Sequence, residues 1–439
     1  MEHAFNVPLY SLIPFVLMLG AIAVLPLFAS KFWHKNINKL IISLVLGIPT
    51  LIWLLLQGMT HELEHSMIYD YIPFIILLGS LFVVTGGIYI ESNLKGSPGV
   101  NTILLAIGAV FASLMGTTGA AMLLIRPLMT TNENRKFKVH TILFFLAIAA
   151  NTGGLLTPLG DPPLFMMYLR GAPFFWFAGL IKEWFVVNSL LLVIYYLVDK
   201  YYFNKENPRL EKASKRSKLN IRVYGKQNII FLLGIVFSVA FINQNTFDFI
   251  QMGHPTAFIR EAVMLLMAIL SLRFTRQKTR SANHFSWEPI EEVAYLFLGI
   301  FITMVPCLVY LETHAQDFGF TSPHLFYYAT GGLSAFLDNT PTAVTFYSLA
   351  FGLTAQGGLQ AYASYPMVAG IPAPFMEAIA TASVFFGSMT YIGNGPNFMV
   401  KAIAESHGID MPEFFAYLFK FSLIVLLPVF ILSQLIFIH

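Results

Sequence analysis

Cysteine is nearly absent from this chain of 439 residues, and charge is scarce. The single cysteine, Cys307, excludes an internal disulfide and a multi-cysteine metal centre. Charged residues make up only 11%, where a soluble domain carries roughly 25%. The net charge of +3 is too small to suggest a nucleic-acid partner, and the basic residues cluster between apolar runs. There is no P-loop, no H-E-x-x-H and no G-x-S-x-G, so the commonest phosphate, zinc and serine chemistries have no foothold. No basic stretch precedes the first apolar run, at about 9–29. That run is too long for a signal-peptide core and is expected to be a retained first span.

What the chain has in excess is hydrocarbon. Hydrophobic residues reach 56%, and runs near 20 residues recur from end to end. This is the pattern of an all-α polytopic membrane protein whose main partner is the lipid bilayer. Spans are expected at about 8–29, 38–57 and 70–91. Residues 100–128 are apolar but interrupted by Gly116-Thr117-Thr118-Gly119. Each half holds about 13 residues, too short to cross at about 1.5 Å per residue. A re-entrant hairpin fits better. A span at 137–169 is broken in its middle, and another follows at 174–203. The basic segment 204–226 then divides a first unit, 1–203, from a second, 227–439. The second unit repeats the plan: spans at 227–246, 257–275 and 288–311, an interrupted region at 322–354, a broken span at 372–405 and a last span at 412–437.

The break in 137–169 organises the rest. Ala150-Asn151-Thr152-Gly153-Gly154 leads through Thr157 to Gly160-Asp161-Pro162-Pro163. Adjacent glycines and prolines cannot continue a helix. In hydrocarbon, freed amides and carbonyls are tolerated only inside protein or beside a wet cavity. The break recurs: Thr157-x-x-Gly160-Asp161-x-Pro163 matches Thr390-x-x-Gly393-Asn394-x-Pro396 at an offset of 233. Thr118-Gly119-Ala120-Ala121 lies against Thr340-Pro341-Thr342-Ala343 at an offset of 222. Placing 204–226 in the cytoplasm puts about 22 of the 26 Lys and Arg on the inner side. Five spans precede it, so the two units are expected to insert in opposite orientations, as in secondary transporters.

Hydroxyls, amides and carbonyls at such breaks are oxygen ligands suited to a hard cation such as sodium. Helix N-termini there suit anions. An acid in a span marks an ion or proton pathway by default, and Asp161 and Asp338 both stand at breaks. One carboxylate can hold a proton or a sodium ion, which is the simplest exchange device. Asp161 precedes two prolines and could instead be an N-cap. Asp338 lies just before the expected caps, Asn339 and Thr340, so capping explains it less well. Asn151 and Asn394 are ligands or helix–helix hydrogen-bonding groups. Thr118, Thr157 and Thr390 are ligands or bond back to their own helix. Arg126 either snorkels or pairs with a buried acid or anionic substrate. Glu377 and Lys420 are a candidate ion pair, and Arg260-Glu261 is expected at the outer interface.

The first break and the interruption in 322–354 resemble the motifs of the ion transporter superfamily. Ala150-Asn151-Thr152-Gly153-Gly154-x-x-Thr157-x-x-Gly160-Asp161-Pro162-Pro163 is similar to A-N-x-G-G-x-x-T-x-x-G-D-P-P-N, and Leu337-Asp338-Asn339-Thr340-Pro341 to L-D-N-x-P. Members include NhaD-type sodium/proton antiporters, arsenite permeases, the human P protein and, more distantly, citrate and dicarboxylate transporters. The resemblance implies two inverted repeats, each of five spans with one broken and a re-entrant hairpin, in a homodimer with elevator-like motion. The motif's last asparagine is Leu164 here, although Asn397 supplies it in the second repeat. The first hairpin tip is Gly-Thr-Thr-Gly rather than the Ser-Asn-Thr of dicarboxylate transporters. The resulting expectation is a sodium/proton antiporter, not an enzyme, without a cofactor, in the inner membrane of a bacterium. Asp161 and Asp338 would exchange the ions, with Asn151, Thr157, Asn339, Thr340, Asn394 and Asn397 supplying oxygens to sodium. The alternatives are sodium- or proton-coupled citrate or dicarboxylate uptake, and efflux of an arsenite-type oxyacid.

Overall fold

A computed structural model of the chain describes residues 7–206, 221–244, 246–250 and 254–438. It is an all-α bundle in which eight of the described helices are long and apolar enough to cross a membrane. Burial separates centre from rim. The stretch Val139–Leu156 is 83% buried, whereas Leu9–Phe28 and Asn36–Leu56 are 22% and 28% buried. The peripheral helices therefore present apolar faces outward, as a bilayer requires, and the broken helices sit in the middle.

The first hairpin consists of Pro98–Met115 and Thr117–Thr131. Ser97 caps it by accepting from the Val100 amide, and Pro98 takes the first helical position. Its arms are 18 and 15 residues, longer than the expected 13, because the helix begins at this cap and runs on past Pro127. The first arm alone is long enough to cross. Between the arms Gly116 adopts φ +82°, a conformation that a Cβ would strain. The second hairpin is Pro323–Ser334 with Asn339–Ala355.

Both expected broken spans are broken. Val139–Ile148 is separated from Pro162–Leu169 by a short turn over Thr152–Leu156, and Ala373–Phe386 from Gly395–Ser406 by a turn over Gly387–Met389. Gly160 is required here: a Cβ on it would stand 1.9 Å from the Gly154 carbonyl oxygen, and one on Gly393 would stand 2.6 Å from that of Gly387.

Helices of the two halves of the chain interlock. Asn36–Leu56 packs on Glu288–Thr313, and Ile72–Thr85 on Phe258–Phe274. Thr117–Thr131 packs on Gly395–Ser406, and Asn339–Ala355 on Pro162–Leu169. The second arm of each hairpin thus lies against the far piece of the other half's broken helix.

Three expectations need correction. The third helix ends at Thr85, not near 91, because Gly86 and Gly87 follow it; Tyr89–Ser92 then pairs antiparallel with Ile221–Tyr224. The end of the basic linker is therefore a strand, and Arg209, Lys212, Lys215, Arg216 and Lys218 lie outside the described residues. The helix expected over 227–246 stops at Phe241. Arg260 and Glu261, in the first turn of Phe258–Phe274, are buried in the protein: both are 2% exposed and bond to each other, with the guanidinium over the rings of Phe165 and Tyr168. Burying a charge costs several kcal/mol unless it is paired, and the adjacent acid supplies the pair.

A second buried polar cluster fixes the far end of the first hairpin. Asp199 accepts from Arg135 (2.6 Å), Asn101 (3.0 Å) and Tyr195 (3.1 Å), with His140 at 2.9 Å. Arg135 also donates to Glu206 at 2.6 Å. These contacts tie the hairpin, the loop after it and the helix Ile181–Asn204 into one unit.

Candidate functional site

The carboxylate of Asp161 is the hub of a sealed polar cluster. Its Cα begins the helix Pro162–Leu169, but its side chain makes no capping bond. It points instead toward the three other interruptions. Thr117, at the first hairpin tip, donates to Oδ1 at 2.8 Å. Asn394, at the second break, donates to Oδ1 at 3.0 Å. Asn339, at the second hairpin tip, donates to Oδ2 at 2.5 Å. Asp161 is fully buried. Three donors to a buried carboxylate offset its desolvation, since hydrogen bonds to a charged group contribute about 1.5–3 kcal/mol each.

Asparagines extend the cluster. Asn394 Nδ2 also reaches Asn151 Oδ1 at 3.1 Å. Asn151 donates to Asn397 Oδ1 at 2.7 Å and to the Leu146 carbonyl at 2.8 Å. Asn397 donates to the freed carbonyls of Gly387 and Thr390 at 2.8 and 2.9 Å. Side-chain amides thus satisfy carbonyls that the break removed from the helical ladder.

The hydrogen bonds repeat at the same offsets as the sequence. The Thr117 amide donates to the Gly160 carbonyl at 2.8 Å, and the Asn339 amide to the Gly393 carbonyl at 3.2 Å. Thr157 donates to the Ser113 carbonyl and accepts from the Leu159 amide. Thr390 donates to the Ala335 carbonyl and accepts from the Ile392 amide. Both threonines therefore fasten a break to a hairpin. Their hydroxyls face backbone rather than Asp161, because the break brings a freed carbonyl within reach.

Asp338 stands at the cap position of the second hairpin arm: it is half-buried, and its Oδ1 accepts from the Thr340 amide at 3.0 Å at the start of Asn339–Ala355. The Thr340 hydroxyl makes a long contact, 3.4 Å, to Asn339 Oδ1 and also bonds to Asp338. The tip threonine in the cluster is Thr117, not Thr118, which is half-buried and one helical step away. Among the described residues Arg126 reaches no acid, and its Nε and Nη1 are buried with no hydrogen-bond partner there. Lys420 is exposed and does not meet Glu377, whose carboxyl meets Glu183 instead. The contacts of Ser113, Thr117, Thr152 and Asn188 at the first break carried no separate signal in the sequence beyond their polarity.

Spanning helices wrapped around a polar hub at two helix breaks define an integral membrane transporter, not an enzyme. The particular family follows from comparison. A family model described as putative citrate transport matches residues 4–438, and the chain belongs to that family. It is 23% identical over 408 residues to an uncharacterized transporter of Mycobacterium tuberculosis and to one of Mycobacterium bovis, across 85% of this chain and 87% of each relative.

Proposed function

We propose that the chain is a secondary active antiporter that exchanges sodium for protons at Asp161 by alternating access. The observation that carries this reading is the fully buried Asp161 carboxylate, held by one side chain from each of the three other interruptions. No Lys or Arg among the described residues bonds to it. A cation-free carboxylate uses the amides of Asn339 and Asn394 as donors. Half a turn of each amide presents its oxygen instead, and with Thr117 Oγ and the carboxylate this makes the hard-oxygen set that sodium takes. Asn151 and Asn397 hold the broken backbone around this set. Thr157, Thr340 and Asp338 brace the hairpin tips. Asp338 lies close enough for its charge to act on Asp161, so it biases which ion the site holds.

In this reading the two halves are inverted repeats, with 204–226 cytoplasmic in the plasma membrane of a bacterium. The chain works as a homodimer in which the hub moves between the two faces. Sodium and the proton are transported species.

The family's description favours a second reading, sodium- or proton-coupled citrate uptake. Helix N-termini at Thr117, Asn339, Pro162 and Gly395 converge on the hub and would attract an anion. A citrate there would face Asp161 with no cationic side chain bonded in the cluster, which makes it the weaker reading. Purified protein in liposomes with a trapped pH dye separates the two. Sodium or lithium added alone should move protons. Proton movement that requires citrate would establish the second reading and overturn the first.

A further inference from the structure

We propose that Glu183 and Glu377 form a second proton-binding site, holding one proton between two carboxyl groups beside the first break. This inference stands apart from the exchange reading, because it concerns residues outside the Asp161 cluster and its test needs no transport.

Glu183 lies on Ile181–Asn204 and is 6% exposed; its Oε2 is buried without a hydrogen-bond partner. Glu377 lies on Ala373–Phe386 and is half-buried. The two carboxyl groups come within hydrogen-bonding reach of each other. Among the described residues no other N–H or O–H bonds to either, and no Lys or Arg pairs with either. The nearest basic residue in sequence to Glu183, Lys182, is exposed, as is Lys420 on the neighbouring last helix. Among the described residues, Glu183 is the charged group that acts on Glu377.

Two carboxylates cannot hydrogen-bond to each other, since neither has a hydrogen to give. At that range in a low-dielectric interior, two negative charges repel strongly. One proton resolves both problems: one acid becomes an O–H donor and the other accepts. The pair therefore binds a proton as a unit. Asp161 is the opposite case, with three donors and no second acid in bonding contact.

The pair is positioned to be felt at the break. One residue on from Glu183, Trp184 Nε1 donates to the Gly153 carbonyl at 2.9 Å. One turn further, Asn188 accepts from Thr152 Oγ at 2.8 Å and donates to its carbonyl at 3.3 Å. The helix of Glu377 also packs on the Thr152–Leu156 turn. A proton on the pair joins these two helices across the break, and its loss sets like charges on either side of the seam.

The test is infrared difference spectroscopy of the full-length protein in lipid, between two pH values, following the carbonyl band of a protonated carboxylic acid. Glu183→Gln and Glu377→Gln should each remove the same single-acid band, and the double variant should remove no more. Asp161→Asn should leave that band in place, which separates this site from the exchange site. Sodium should not displace it. A band unchanged in both single variants, or one that appears only when sodium is withdrawn, overturns the proposal. If a variant does not fold, a lipophilic carbodiimide, which reacts with protonated carboxyls, should label Glu183 or Glu377 in the unmodified chain. Absence of label at both positions likewise overturns it.

Discussion

The two breaks share a backbone and differ in chemistry. Thr157 and Thr390 make the same pair of bonds, and Gly160 and Gly393 receive the same amide bond. At the next position the first break has Asp161 and the second has Asn394, and the two side chains meet at 3.0 Å. The hairpin tips differ in the other sense. Gly116, with φ +82°, stands where the second tip has Asp338, with φ −56°. Each half therefore contributes one acid, the first at its break and the second at its tip. Only the first is fully buried and bonded to both halves. A repeat supplies a scaffold, and one substitution at equivalent positions decides which copy carries the charge.

Asp161→Asn tests that asymmetry most severely. It makes both breaks asparagine and leaves no carboxylate in the hub. Exchange measured with the pH dye should fall to the level of empty liposomes, while the protein still elutes as a folded species from detergent. Retained exchange would remove Asp161 from the mechanism.

Asn394→Asp makes the halves alike in the opposite way. Two carboxylates would then face each other where an amide now donates. Like charges at that range do not both ionise without cost. The thermal stability of this variant should fall as pH rises, relative to the parent, because deprotonation places two anions in one buried site. Equal melting curves from acid to alkaline pH would show that the hub is wetter and better screened than its burial indicates.

Thr117→Ala removes one of three donors to Asp161. The expected loss is about 1.5–3 kcal/mol, the value of a hydrogen bond to a charged group, or about 10- to 150-fold in apparent sodium affinity. Thr118→Ala should change nothing measurable, since Thr118 has no part in the cluster. The reverse order of effects would mean that the tip turns by one residue in the working protein.

Much of this was legible in the chain because it is local. Gly153-Gly154, Gly160 and Pro162-Pro163 forbid a continuous helix by backbone sterics alone, and a constant offset of 233 exposes the second copy. What was not legible depends on contacts across long separations. The choice of Thr117 over Thr118 is set by which face of the tip meets a residue 44 positions on. The cap position of Asp338 is seen only in the hydrogen bond it accepts at the start of its helix. The Asp199 cluster joins residues 98 apart, and Glu183 meets an acid on the other half of the chain. Polarity within an apolar run marks such residues as special but does not pair them. The pairing of Tyr89–Ser92 with Ile221–Tyr224 was hidden for the same reason.

The smallest effect is expected at Asp338, and it sharpens the comparison most. Its Oδ1 accepts from the Thr340 amide, as a helix cap does, and asparagine caps about as well as aspartate. Asp338→Asn should therefore keep the fold and change the exchange rate by no more than about threefold, the equivalent of a fraction of 1 kcal/mol at a cap. Asp338→Ala loses the cap and should lower stability by about 1 kcal/mol, read as a drop in melting temperature in detergent. If Asp338→Asn instead abolishes exchange with stability intact, the charge at the second tip is carrying an ion. The two halves would then be equal partners, each with one working acid, and the hub would hold two exchange sites rather than one.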